Sequence, residues 1–331
     1  MADTDKTQPG SGLRKRRSSS SASVSSTLAN TARDVEHRIA SALLMAWDDL
    51  PTWRRDNHYI ETGYRPDSNS YRRSLASLFY VHNESVNIWT HLLGALFFPT
   101  IGAWLYHVIA PRYASANSSD VLVFACFFAG AVSCLGMSAT FRYVQNDALS
   151  NHSEEVAKWG NKLDYSGIVF LIVGSYVPAL YYALFCLPKL MTFYLYGIFL
   201  LGLGCGVVSW VERFRTPRWR PYRAAMFVGL GASGVVPVCH GLSIYGYQAL
   251  EERMGLNWVL FQGFLYIFGA FLGILTSLWV RWPERSFPRT FDIWGSSHQL
   301  FHILILFAAA SHLTGMVKAF DYHHSIMGGQ C

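Results

Sequence analysis

The sequence predicts an all-α membrane protein: a bundle of seven transmembrane helices, N-terminus cytosolic and C-terminus outside. Three observations carry that expectation. The 331 residues are 51% hydrophobic and only 15% charged, against roughly 25% charge in an average soluble domain. The apolar residues gather into seven runs of about 20 residues, the length a helix needs to cross hydrocarbon. The basic residues between those runs concentrate on one side.

Residues 1–30 precede the bundle as a Ser-rich basic tail, with Arg14-Lys15-Arg16-Arg17 running into Ser18 and further serines. Such a segment buries no core and reads as a disordered, solvated tail, open to phosphorylation or to contact with anionic lipid. It lacks an apolar h-region, so no signal peptide is expected there. Residues 31–86 read as a cytosolic amphipathic helix and linker. Val35, Ile39, Leu43, Ala46 and Leu50 recur at helical spacing, which predicts a helix ending near Pro51 that lies along the membrane or against helix ends. Residues 57–66 then form an aromatic link into the membrane region.

Residues 87–319 hold the seven runs, at 87–109, 121–141, 165–186, 192–211, 224–247, 258–280 and 297–317, and 320–331 form an outer tail. Backbone groups in lipid must pair internally, so runs of this length are helices. Pro178 and Pro237 are expected to kink theirs. With the N-terminus inside, inner loops carry Lys158 and Lys162, then Arg213, Arg215, Arg218, Arg220 and Arg223, then Arg281, Arg285 and Arg289. Outer loops carry Arg112, Lys189 and Arg253. The bias points one way in every pair. Asn117-Ser118-Ser119, a glycosylation sequon, falls in the first outer loop, whereas the sequons at Asn83 and Asn151 face the cytosol and stay unmodified.

The net charge of +6 serves topology and the negative membrane surface rather than nucleic acid. Cys126, Cys134, Cys186, Cys205, Cys239 and Cys331 form no CxxC pair, and buried free thiols are the expectation. There is no internal repeat of the kind common in transporters. No lysine precedes Lys318 in the last run, which argues against a retinal protein.

The last run opens on Ser297-His298-Gln299-Leu300-Phe301-His302. Two histidines four apart project from one helix face about one turn apart, a metal-ligand spacing. The alternative is that both hydrogen-bond neighbouring helices. His91, His107, His240 and His312 read as helix-contact residues, and Glu84 and Asn87 equally as capping or loop-fastening groups or as ligands.

The segments His82-Asn83-Glu84-Ser85-Val86-Asn87-Ile88-Trp89-Thr90-His91, Lys162-Leu163-Asp164-Tyr165-Ser166-Gly167 and Asp292-Ile293-Trp294 through His302 resemble the signatures of the PAQR family. That family comprises the progestin and adipoQ receptors and the haemolysin-III-related proteins. The resemblance covers residues from about 50 to the C-terminus and implies a receptor or regulator of lipid and metal homeostasis. It implies zinc near the inner leaflet, bound by one histidine of the second span and two of the seventh, with membrane lipids and a lipid or extracellular protein ligand as partners. It also implies, as the alternative, a ceramidase-like lipid amide hydrolase. By motif match His298 and His302 are metal ligands, Asp164 is the carboxylate acting through water, and Ser138 is the second-span serine. The sequence departs at Arg142, where the third histidine is expected; a guanidinium stays charged and opposes a cation. His152 matches a more cytosolic family histidine with about five residues too many between them, and continuous helix would carry it about 15 Å beyond Arg142. Plasma membrane and endoplasmic reticulum are both compatible locations.

Overall fold

A computed structural model describes residues 44–66, 71–143, 154–273 and 281–331. The Ser-rich tail, the first part of the expected amphipathic helix, Asn151, His152 and the end of the sixth run lie outside the described residues. Nine α-helices follow in chain order among those described: α1 Tyr71–Ser77, α2 Ser85–Trp104, α3 Ser118–Tyr143, α4 Glu154–Ala183, α5 Pro188–Trp210, α6 Arg220–Ala232, α7 Val235–Met254, α8 Leu256–Gly273 and α9 Ser297–Ser325. The described residues hold no strand beyond an isolated bridge between Met45 and Tyr64.

Among the described residues, six segments are long and apolar enough to cross a membrane: Ser85–Ile109, Ser118–Ala139, Trp159–Ala183, Pro188–Trp210, Pro221–Met254 and Ser297–Ser325. The shorter apolar helix Leu256–Leu272 occupies the expected sixth run, whose continuation at 274–280 is not described. Half of the apolar window of α4 and of α9 is buried, against 17% for α2 and α5. The first two therefore form the inside of the bundle and the last two its lipid face. Phe97, Phe193, Tyr196, Phe199 and Leu200 are exposed on that outer face, as a hydrocarbon solvent requires.

The core runs through Phe127, Leu135, Leu171, Ile305 and Ala309, which join α3, α4 and α9. α3 and α4 approach closely because Gly167 meets the Cα of Cys134 and Gly174 meets the carbonyl of Cys126; an added Cβ would lie 2.8 Å and 2.6 Å from them. Small residues of this kind let membrane helices gain packing contacts where no hydrophobic drive exists between them.

Three expectations are corrected. Residues 44–50 do not continue an α-helix to Pro51: Met45 pairs with Tyr64 and Trp47–Asp49 is a single 3-10 turn, because the chain here turns back onto the 57–66 link. The run at 224–247 is interrupted twice, at Ser233-Gly234 and again at Gly246, where φ of 75° and ψ of 172° kink α7. Pro237 has no N–H and its ring crowds the carbonyl four residues back, that of Ser233. Pro178, by contrast, lies within continuous α4. Finally, Cys186 and Cys331 are not free thiols but a disulfide, a pairing across 145 residues that no spacing motif announces.

Candidate functional site

The site is built where α2 and α9 begin. Gln299, fully buried between the two histidines of the motif, donates from Nε2 to the Asn83 carbonyl at 2.9 Å and the Ile293 carbonyl at 2.8 Å. Its Oε1 accepts from Gly295 N–H. One amide thus fastens the first turn of α9 to the loop opening α2, which explains why two motifs more than 200 residues apart meet. Two buried carboxylates complete the collar. Asp292 accepts from Thr62 N–H at 2.8 Å, Thr62 Oγ1 at 2.7 Å and Glu61 N–H at 3.2 Å. Glu284 accepts from Asn57 Nδ2 at 3.1 Å, Ser297 N–H at 2.9 Å and the Ser297 hydroxyl. Thr62 and Asn57, which donate to them, lie more than 200 residues away, so residue spacing gives no sign of their roles.

His82 is buried here, and its Nδ1 accepts the Glu84 N–H at 3.1 Å. Burial, followed by the charge of Arg65, lowers its pKa to about 2. A ring that accepts at Nδ1 carries no proton there, so the geometry and the electrostatics agree on a neutral imidazole. Asn87 Nδ2 donates to Glu84 Oε2 at 2.6 Å, a contact that fastens the loop to the first turn of α2.

The residues singled out in the sequence lie in one layer of the bundle. A Cβ on Gly94 of α2 would touch Leu306 of α9 and Leu135 of α3, so these three helices meet at that level. One turn nearer the start of α9 lie His91, His302 and Ser138. Asp164 stands one turn beyond the Gly167–Cys134 contact in the same direction. Within this layer the Nε2 atoms of His298 and His302 are 3.1 Å apart, with ring planes 59° from each other. His91 stacks on His302 at 3.8 Å between ring centres and 25° between planes. Ser138 is buried and Asp164 half-buried.

This arrangement fits part of a zinc site. Nitrogens about 2.0–2.1 Å from one tetrahedral ion stand a little over 3 Å apart, which is close to the spacing of the His298 and His302 Nε2 atoms. An ion also lies near the plane of each ring that binds it, and the stacked planes of His91 and His302 do not meet near either ring. His91 is therefore not placed as a third ligand. No group of three or more histidine, cysteine, aspartate or glutamate side chains suited to a metal occurs among the described residues. Arg142 belongs to the last turn of α3; its side chain and His152 are outside the described residues.

The opposite end carries a second polar cluster that the sequence did not signal. Asp120, buried at the start of α3, accepts from Tyr182 OH at 2.9 Å and Asn117 N–H at 3.0 Å and lies 3.1 Å from His324 Nε2. Ser115 Oγ is 2.8 Å from His324 Nδ1. Here α9 runs on to Ser325, eight residues past the expected end of its span, because Phe320, His323 and His324 are buried. Asn117, the sequon residue, is exposed. Between the two ends, α4, α6, α7, α8 and α9 enclose a cavity of about 500 Å³.

Fold and site define a multi-pass helical membrane protein with a paired histidine at one end. A family model described as haemolysin-III related matches residues 79–313. The ADIPOR-like receptor IZH2 of Saccharomyces cerevisiae is 40% identical over 300 residues, 90% of each chain. The adiponectin receptor protein of Drosophila melanogaster is 40% identical over 307 residues, 91% of this chain and 66% of that one. Progestin and adipoQ receptor-like protein 1 of Caenorhabditis elegans is 39% identical over 273 residues, 82% of this chain and 60% of that one. The chain thus spans nearly all of the yeast relative and about two thirds or less of the two animal ones. It belongs to the haemolysin-III-related family, the progestin and adipoQ receptors.

Proposed function

We propose that the chain is an adiponectin-receptor-like membrane receptor or regulator of lipid and metal homeostasis, with zinc held by His298 and His302 in a site weakened at Arg142. The observation behind this reading is the 3.1 Å approach of the two Nε2 atoms inside the family-matched region. His298 and His302 would hold the zinc, which when bound would supply Lewis-acid polarisation of a carbonyl and a lowered pKa for water. In the same layer Asp164 holds a proton or orients water, and Ser138 donates to a developing oxyanion. With two histidines instead of three, retention is weak, and we assign signalling or regulation rather than lipid amide hydrolysis as the main activity.

The orientation we propose is N-terminus inside. The loop charges support it, as does the Cys186–Cys331 disulfide at the end we place outside, where an oxidising compartment permits one. The plasma membrane and the endoplasmic reticulum both meet that condition. A mobility shift from glycosylation, lost in Asn117→Gln, agrees with it; glycan on Asn151 reverses it.

Elemental analysis of purified protein tests the metal reading, with His298→Ala/His302→Ala as control. The expected result is zinc well below one per chain, removed by mild chelation and absent from the control. One tightly held zinc per chain, with ceramide turnover abolished by His298→Ala, overturns it in favour of the hydrolase.

A further inference from the structure

We infer that the turn joining α5 to α6 is a binding site for the phosphomonoester headgroup of an inner-leaflet lipid, held by Arg213, Arg218 and Arg223. The inference rests on the proposed inside-N orientation, which puts this turn at the cytosolic leaflet, and it is independent of zinc.

Residues 212–223 hold five arginines and one glutamate. Two short 3-10 turns, Glu212–Arg215 and Pro217–Trp219, gather them between the two helix ends. The one carboxylate, Glu212, is taken up by cations of the bundle. It lies 2.8 Å from Lys162 Nζ of α4 and 3.6 Å from Arg215 Nη1, and both of those side chains are largely buried. Arg213 and Arg218 remain exposed.

Arg223 is the buried member of the set. It is only 8% exposed and stands 5.6 Å from the centre of the Tyr165 ring. Its Nη1 donates to the Phe214 carbonyl, and its Nε has no hydrogen-bond partner. A buried cation with an unused donor is costly, and an arriving acceptor relieves that cost. Arg215 is held below its ordinary pKa by burial first and then by the charge of Arg223, with Glu212 opposing. The cations therefore repel one another where an anion would draw them together. α6 also opens here without a side-chain cap at Trp219. The free N–H groups of its first turn and its positive dipole end attract an anion to the same place.

Guanidinium groups bind phosphate oxygens in pairs. A phosphomonoester offers nearly two charges and three acceptor oxygens, more of both than the phosphodiester of an ordinary phospholipid. The surroundings favour a lipid over a soluble phosphate. Trp210, Val211, Tyr222 and Met226 are exposed around the arginines, an aromatic and apolar rim suited to the headgroup level with acyl chains beside it.

The experiment places purified full-length protein in symmetric nanodiscs of phosphatidylcholine. These carry either a phosphatidylinositol monophosphate or, at matched total charge, phosphatidylserine, and native mass spectrometry measures the lipid retained. The phosphomonoester lipid is expected to be retained in preference. Arg213→Gln and Arg218→Gln, both at exposed positions, are each expected to weaken retention about 5-fold, the scale of one basic residue at an anionic surface. Glu212→Gln is expected to strengthen it by removing the competing carboxylate. Arg289→Gln, in another inner loop and paired with Glu61, is expected to leave it unchanged. Equal retention of phosphatidylserine, or an Arg289→Gln effect as large as that of Arg218→Gln, reduces the site to diffuse attraction and overturns the inference. Displacement of the lipid by soluble inositol bisphosphate at equal concentration assigns the arginines to a free phosphate and overturns it too. Glycosylation keeps this inference apart from the orientation, because nanodiscs expose both faces of the protein. Failed retention with Asn117 glycosylated refutes the lipid site alone, and retention with glycan on Asn151 refutes the orientation alone.

Discussion

The two ends of the bundle both bury histidines near carboxylates, and they use them in opposite ways. At the end closed by the disulfide, acid and imidazole meet: Asp120 takes His324, Tyr182 and the Asn117 amide together. At the other end the buried acids Asp292 and Glu284 are occupied by backbone and side-chain donors of the collar, and His298 and His302 face each other. At one end a carboxylate binds an imidazole directly; at the other the carboxylates bind backbone and side-chain donors of the collar. The two ends therefore differ in where their buried acids spend their lone pairs.

Substitutions at the two ends test this contrast. The largest effect is expected for Asp120→Ala, which strips three partners of one acceptor and costs about 3–5 kcal/mol in thermal unfolding. An equal loss in His298→Ala would erase the distinction. Reduction of the disulfide, or Cys186→Ser, is next at about 2–4 kcal/mol, read as a lower unfolding temperature with reductant.

Acid sharpens the comparison from the other end. His82 is neutral when folded, with a pKa of about 2 against an ordinary 6.5, so below pH 6.5 the unfolded chain binds the extra proton. Its contribution is complete above 6.5 and is lost as pH falls toward 2; at pH 5 the loss is about 2 kcal/mol. His82→Gln should flatten the stability–pH curve in that interval. The smallest effect is expected for His298→Ala, a half-buried residue whose loss changes stability by less than about 1 kcal/mol while lowering zinc retention.

The membrane class and most spans were legible because run length and loop charge are properties of sequence alone. The His298/His302 pair was legible because helical spacing fixes which side chains share a face. Hydropathy could not reveal the break at Ser233-Gly234, since both halves of that run are equally apolar, although Pro237 stood four residues beyond it. Asp292 and Glu284 were invisible as collar acids because Thr62 and Asn57, which donate to them, lie more than 200 residues away. The cavity escaped notice for a related reason: Gln262 and Tyr266 share a helix, but only packing brings His312 to them.

The break between α6 and α7 sets a mechanical property of the wall beside that cavity. A continuous helix transmits torque along its ladder of hydrogen bonds; here the ladder tightens, with Gly234 N–H donating to the Gly231 carbonyl at 3.4 Å and Val236 N–H to that of Ser233 at 3.2 Å. Ser233 Oγ donates to the Leu230 carbonyl at 2.7 Å, and Tyr176 OH donates to that of Gly231 at 2.8 Å. Two hydroxyls, one reaching across from α4, thus take up the last carbonyls of α6 where the ladder tightens, so the joint between α6 and α7 is pinned to α4. Tyr176→Phe removes the pin that belongs to α4 while leaving both helices whole, and amide exchange should quicken around 230–234 before it does anywhere else in the wall.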